Sequence, residues 1–228
     1  IVLPTATWYE KNDLNTSDMH PFIHPLTGAV DPAWEARSDW EIYKGIAKAF
    51  SKVAPEILGL EKDVVLNPIK HDTSNEIAQP FDPKDWKKGE CEPIPGKTMP
   101  VVAVVERDFP HVYERFTALG PLMTSIGNGI KGMTWKTEHE VEHLKALNGT
   151  HAEGANKGLA KIVTDIDATE VILMMAPETN GDVAVKAWHE LEKPTGRQHA
   201  HLAEGAHHTK IRFRDLAAQP RKIISSPT

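Results

Sequence analysis

Between residues 59 and 100 the chain places nine prolines and glycines and almost no periodic apolar residues. Proline removes a backbone donor, and glycine raises the entropic cost of ordering. A long helix or a central strand therefore cannot run through this stretch. It reads as an extended segment wrapping over a surface, with one short helical turn near Asn75 to Ala78. Residues 4 to 37 are also irregular, a loop of prolines and polar turn-formers with a short strand near Ile23. Long irregular connections are uncommon in a compact free-standing domain. They fit a piece that packs against other parts of a large enzyme.

The ends agree with that expectation. Ile1-Val2-Leu3 reads as the buried end of a strand, stopped by Pro4, with neither an initiator Met nor a signal peptide before it. The other end stops at Ser225-Ser226-Pro227-Thr228. An internal fragment is expected. A length of 228 residues allows one good core, or one core with an appendage. A net charge of −6 argues against bulk electrostatic binding to nucleic acid. The single cysteine, Cys91, excludes an internal disulfide framework and a cysteine-ligated cluster held by this segment alone. Its acidic neighbours Glu90 and Glu92 raise rather than lower a thiol pKa, so Cys91 is read as structural or superficial.

Between the irregular stretches lie periodic ones. Ser38, with Glu41 three residues later, signals a capping box for a helix over about 39 to 54. Its stripe Tyr43, Ile46, Ala47, Phe50 and Val53 has helical spacing and is expected to be buried. Val101 to Val105 is β-branched and reads as a buried strand, followed by a helix over 110 to 119. Ile126 to Gly132 reads as a flexible turn without the Gly-Lys-Ser/Thr ending of a phosphate loop. Thr137 with Glu140 predicts a capped helix over 138 to 147. The run 166 to 176 fits either a buried strand or a helix ending before Pro177. A helix follows over about 182 to 192, then a His-rich loop over 197 to 210, then short strands at 211 to 213 and 222 to 224. The whole reads as α/β with long irregular connections.

Two groups of residues carry candidate chemistry. His139-Glu140-Val141-Glu142-His143 matches H-E-x-x-H, in which two His on one helix face grip zinc and the Glu acts as base. The extended pattern is missing: Ala146 and Gly149 stand where a Gly and a third His belong. A solvated helix face is the better reading, and zinc hydrolysis is a minor alternative. His199, His201, His207 and His208 show no spacing that fixes a coordination geometry, so no metal site is expected. The opening loop is the stronger candidate, because polar loops between rigid elements are where binding groups sit. It holds Lys11, Asp13, Asp18, His20 and His24, and ends on Asp39 at the first helical turn. A lysine offers a point-charge donor to phosphate. A carboxylate such as Asp39 can cap backbone amides or accept from the N–H groups of a guanine.

The wording of this loop is specific. Leu3-Pro4-Thr5-Ala6-Thr7-Trp8-Tyr9-Glu10-Lys11, followed by Glu35-Ala36-Arg37-Ser38-Asp39, resembles a segment of the molybdopterin-guanine-dinucleotide oxidoreductases. Asn15 to Leu26, Pro177 to Gly181, Ile211 to Asp215 and Gln219 to Thr228 resemble the catalytic α subunits of membrane-bound respiratory nitrate reductases. The likeness spans essentially the whole chain. It implies a partial, dinucleotide-binding-like α/β domain and a Mo-bis(molybdopterin guanine dinucleotide) cofactor. Residues 1 to 58 would be the cofactor-binding loop and helix, 59 to 100 the wrapping segment, 101 to 210 an α/β segment, and 211 to 228 the start of a linker toward the next cofactor-binding domain. Residue by residue, the resemblance puts Lys11 and Asp39 against the cofactor, with Asp18, His20 and His24 as secondary candidates. It leaves the molybdenum ligand and the [4Fe-4S] ligands outside this chain, so no catalytic residue and no metal ligand is expected within it. The implied parent reduces nitrate with electrons from quinol. It is implied to work with an iron–sulfur β subunit and a haem-containing membrane γ subunit, at the cytoplasmic face of the bacterial inner membrane. Relatives acting on chlorate, selenate or a hydrocarbon are the alternative.

Overall fold

In the computed structural model, residues 1–17, 20–58, 62–67, 101–130, 133–215 and 221–227 are described. Asp18, Cys91 and the turn expected near 75 to 78 lie outside them, as does the side chain of His20. Among the described residues the fold mixes helices with short antiparallel ladders. Strands β1 (Asp13–Ser17) and β2 (His20–Leu26) form a hairpin within the stretch expected to be mostly loop. The third strand of that sheet, β7 (Arg221–Lys222), lies on the far side of β2. β3 (Lys62–Asn67) pairs with β4 (Val101–Glu106). The glycine-rich stretch expected to be a flexible turn instead carries a hairpin of β5 (Asn128–Ile130) and β6 (Met133–Trp135). The parallel bridges among the described residues are isolated ones, Thr5 with Arg37 and His151 with Lys157.

Seven α-helices stand among the described residues: α1 (Asp39–Leu58), α2 (Val112–Phe116), α3 (Leu122–Ser125), α4 (Glu138–Asn148), α5 (Asp165–Met175), α6 (Gly181–Thr195) and α7 (His201–Glu204). The ambiguous run is α5, a helix. Thr164 Oγ1 accepts from Asp167 N at 3.1 Å, and the Asp167 carboxylate accepts from Thr164 N, so a capping box starts it. The box expected on α4 does not form: Thr137 Oγ1 donates to Met123 O, and Glu140 turns inward. On α1 only half forms. Ser38 Oγ accepts from Glu41 N at 3.3 Å, while the Glu41 carboxylate pairs with Lys44.

The core lies in the second half of the chain. α4 and α5 enclose Leu119, Val141, Leu144, Ala160, Met174 and Met175. On its other side α5 gives Leu173, fully buried, to a cluster with Ile23, Ile211 and Phe213. Residues 211 to 213 are not the strand their β-branched character suggested. The buried carboxylate of Glu170 accepts from the backbone N–H of Phe213 (3.1 Å) and Arg214 (2.9 Å), which closes a 3₁₀ turn over Phe213–Asp215. Arg214 itself reaches Asn148, Asp167 and Glu170, riveting that turn to α4 and α5. The short strand expected at 222 to 224 is two residues, Arg221 and Lys222, with Ile224 buried beside Trp188.

Three expectations of burial fail, the first at β4, where Val104 is 67% and Val105 38% exposed. Ile1, Val2 and Leu3 are exposed, and so are four of the five residues of the α1 stripe, from Tyr43 at 61% to Phe50 at 41%. Of that stripe α1 buries Ala47 alone, together with Ala54 outside it. It is attached by Trp40 stacked on Phe116 (centroids 4.8 Å apart), by Trp40 Nε1 donating to Val163 O, and by Ser51 accepting from Tyr113 N.

Candidate functional site

The opening segment folds back on the start of α1. Ala6 N donates to Arg37 O at 2.8 Å and Arg37 N to Pro4 O at 3.1 Å, giving the parallel bridge that sets Asp39 near residue 11. Tyr9 O accepts from Ala29 N and Val30 N, and the Glu10 carboxylate from Thr7 N and Ala33 N. Those backbone bonds, Thr7 first and then Ala33, hold the Glu10 carboxyl below its ordinary range. The loop is thus pinned by its own amides.

Within it, Lys11 Nζ lies 2.5 Å from Asp39 Oδ2 and 3.0 Å from Asp13 Oδ2. Burial alone lowers the pKa of the ammonium, but hydrogen bonds and charge from Asp39 and Asp13 outweigh it, so the pKa of Lys11 is raised. The structure therefore brings together the two residues expected to bind cofactor, and adds Asp13. Lys11 is the more buried of the pair, its side chain 11% exposed against 54% for Asp39. A concavity of about 680 Å³ lies beside them. Its walls are the neighbours of the pair: Glu10 and Asn12 flank Lys11, while Arg37 and Ser38 precede Asp39. Lys11 and Asp39 bond to each other at its margin rather than forming its wall.

The carboxylates in the hollow suit the N–H groups of a purine, with the Lys11 ammonium at the margin. Asp31 and Asp165 offer acceptors for ring and amino N–H groups. Glu10 and Glu41 are engaged by the Thr7 and Ala33 amides and by Lys44, and the Arg37 guanidinium lies toward Gly45 on a neighbouring hollow. Two further residues of the hollow, Asp31 and Asp165, were not among those expected from the sequence. Asp165 arrives from α5 and carries no local signal. His24 sits in β2 opposite Asn15, within the first hairpin.

The H-E-x-x-H reading as a zinc hydrolase does not hold. His139 and His143 do lie side by side, with ring centroids 4.2 Å apart and planes tilted by 57°. Glu140, however, is fully buried, and both of its oxygens accept from Lys186 Nζ at 2.9 Å. A carboxylate held this way is not presented to an attacking water. Burial, with Lys210 and His139 nearby, also lowers the pKa of His143.

Comparison with known proteins agrees with the resemblance. A family model described as nitrate reductase alpha chain, domain V, matches residues 126–228, and one described as molybdopterin oxidoreductase matches residues 1–49. The chain is 65% identical over 228 residues to respiratory nitrate reductase 1 alpha chain of Escherichia coli (strain K12), covering all of this chain and 18% of that protein. It is 47% identical over 230 residues to nitrate reductase alpha chain of Bacillus subtilis (strain 168), covering all of this chain and 19% of that protein. A shorter match, 43% over 54 residues, covers 24% of this chain and 6% of perchlorate reductase subunit alpha of Dechloromonas aromatica (strain RCB). The chain thus spans about a fifth of the length of the nitrate reductase alpha chains it matches. With that identity along every residue, and with a molybdopterin oxidoreductase match over the loop that holds Lys11 and Asp39, this chain belongs to the respiratory nitrate reductase alpha chains of the molybdopterin oxidoreductase family.

Proposed function

We propose that the chain forms part of the catalytic subunit of a molybdenum nitrate reductase, and that Lys11 and Asp39 anchor one edge of a bis(molybdopterin guanine dinucleotide) cofactor. The observation carrying the second claim is the Lys11–Asp39–Asp13 ion cluster at the rim of a hollow rich in purine acceptors. When bound, the molybdenum centre supplies the oxygen-atom transfer from nitrate. This chain's own residues bind and orient. The carboxylate of Asp39 would accept from guanine N–H groups and the Lys11 ammonium would meet the pyrophosphate, with Asp13 holding Lys11 in place. The residues preceding α1 then act as one edge of a dinucleotide-binding-like domain, a reading supported by the parallel bridge of Thr5 with Arg37.

In the parent, electrons come from quinol through [4Fe-4S] centres carried outside this chain. The iron–sulfur β and haem-containing γ subunits hold the complex at the cytoplasmic face of the inner membrane. Among the described residues no helix is long and apolar enough to cross a membrane. Residues 211 to 228 lead on toward the next cofactor-binding domain.

The test is made in the full-length subunit. Lys11→Ala and Asp39→Ala are each expected to lower retained guanine nucleotide, released by acid and quantified as GMP, about tenfold, with nitrate reduction falling in step. Full cofactor retention in both variants would overturn the anchoring role. The perchlorate reductase match supports a second reading, an enzyme turning over another oxyanion. A kcat/KM for chlorate above that for nitrate would favour it.

A further inference from the structure

The sequence offered His139, Glu140 and His143 as metal ligands, and the fold selects a different set. α4 projects His139 from its first turn, with Glu140 beside it, while α6 brings Asp182 from its own first turn. The ligand atoms of His139, Glu140 and Asp182 all lie within 4.8 Å of one another. A tetrahedral ion with bonds of about 2.0–2.2 Å wants its donors roughly 3.3 Å apart, so a modest rotamer adjustment closes the set.

A fourth donor comes from further along the chain. Gly181 N donates to Thr209 O at 2.8 Å, and a Cβ at Gly181 would overlap Ala206 O. Only a glycine lets the turn after α7 approach the start of α6 this closely. That approach places His207 on the wall of a small hollow of about 300 Å³ shared with His139, Glu140 and Asp182. His143 belongs to a neighbouring hollow with His208 and Lys210.

Charge decides the class of ion. Lys186 faces Glu140, and Lys210 lies 3.0 Å from Asp182. With two carboxylates balanced by two ammonium groups, a hard cation held by charge and many oxygens gains little. An ion with its own preference for imidazole still gains the His139 and His207 bonds. Each Glu140 oxygen keeps a lone pair besides the one facing Lys186.

We propose that His139, Glu140 and Asp182, with His207 on the wall of the same hollow as the further donor, form a binding site for a divalent transition ion of the zinc class. Such an ion clips α4, α6 and the turn after α7 together, three segments distant in sequence. It has no part in the hydrolytic chemistry that the H-E-x-x-H spacing suggested, and it is separate from the hollow beside Lys11.

The full-length subunit, stripped with a chelator and dialysed against radiolabelled Zn²⁺ at micromolar concentration, tests this. The expected result is one zinc bound per subunit beyond any carried elsewhere. That zinc should be lost at least tenfold in His139→Ala and in Asp182→Asn, and kept in His201→Ala. Zinc should also raise the Tm of the parent protein and leave that of His139→Ala unmoved. His139 is exposed, so its replacement leaves the fold intact. Equal zinc binding by parent and His139→Ala would overturn the site. So would loss in His207→Ala and His208→Ala alone, since the turn would then hold the ion without α4 or α6.

Discussion

Helices α1 and α5 both carry strong apolar character, yet they end in opposite surroundings. α5 presents Leu173, Met174 and Met175 to two buried clusters and leaves Ile172 outside. α1 buries two alanines and turns Tyr43, Ile46, Phe50, Val53 and Ile57 outward. An amphipathic stripe states that a helix needs a cover, and it does not say which element supplies one. For α5 the cover is in this chain. For α1 the described residues provide little of it.

Variants can break that contrast. The largest effect is expected from Leu173→Ala, which empties a fully buried site and costs about 2–5 kcal/mol in denaturant unfolding of the 228-residue chain. Lys186→Ala is expected to come next. It leaves Glu140 buried without its cation, and because Lys186 is 35% exposed, solvent screening reduces the loss to about 1–3 kcal/mol. Thr164→Ala, removing the cap that makes α5 a helix, is expected to cost about 1 kcal/mol.

A pH series adds a smaller, signed effect. Glu192 accepts from the backbone N–H of Ala200 and His199 and from His189, and its pKa falls from 4.5 to about 2, with the Ala200 bond the largest cause. Its folded pKa is depressed, so its contribution is complete above about pH 4.5 and disappears as pH falls toward 2. The Tm difference between the parent chain and Glu192→Gln should therefore shrink over that window and vanish below it. The smallest effect is expected from Ile46→Ser, within about 0.5 kcal/mol in this chain, because the side chain is already exposed. The same change in the full-length subunit, where other segments can cover α1, should cost several times more. Equal effects in both would mean that the stripe stays bare.

Local signals read well where a residue's partners were close in sequence. Ser38 started α1 as its pattern implied, and the helical periods of 138 to 147 and 182 to 192 marked α4 and α6 closely. They failed where tertiary partners competed. Thr137 had a better acceptor in Met123 O, Glu140 had Lys186, and Glu170 claimed the amides that would have made 211 to 213 a strand. β2 was obscured by Pro21 and Pro25, which lack a donor but still offer carbonyls; Pro21 O accepts from Ile223 N. For the candidate site, the motif residues Lys11 and Asp39 were readable. Their bond to each other, and Asp165 across the hollow, exist only in the fold.

The pairing of β2 with β7 also bears on how the molecule is made. Ile23 and Arg221 are about two hundred residues apart, so their contact has high order and forms late. At translation rates of about 5–20 residues per second, the first hairpin waits roughly 10–40 s for its outer strand. During that interval the unpaired edge of β2 is open to wrong partners. A ribosome pause between the two strands would lengthen the exposure, and the yield of folded subunit, rather than its stability once folded, would register it.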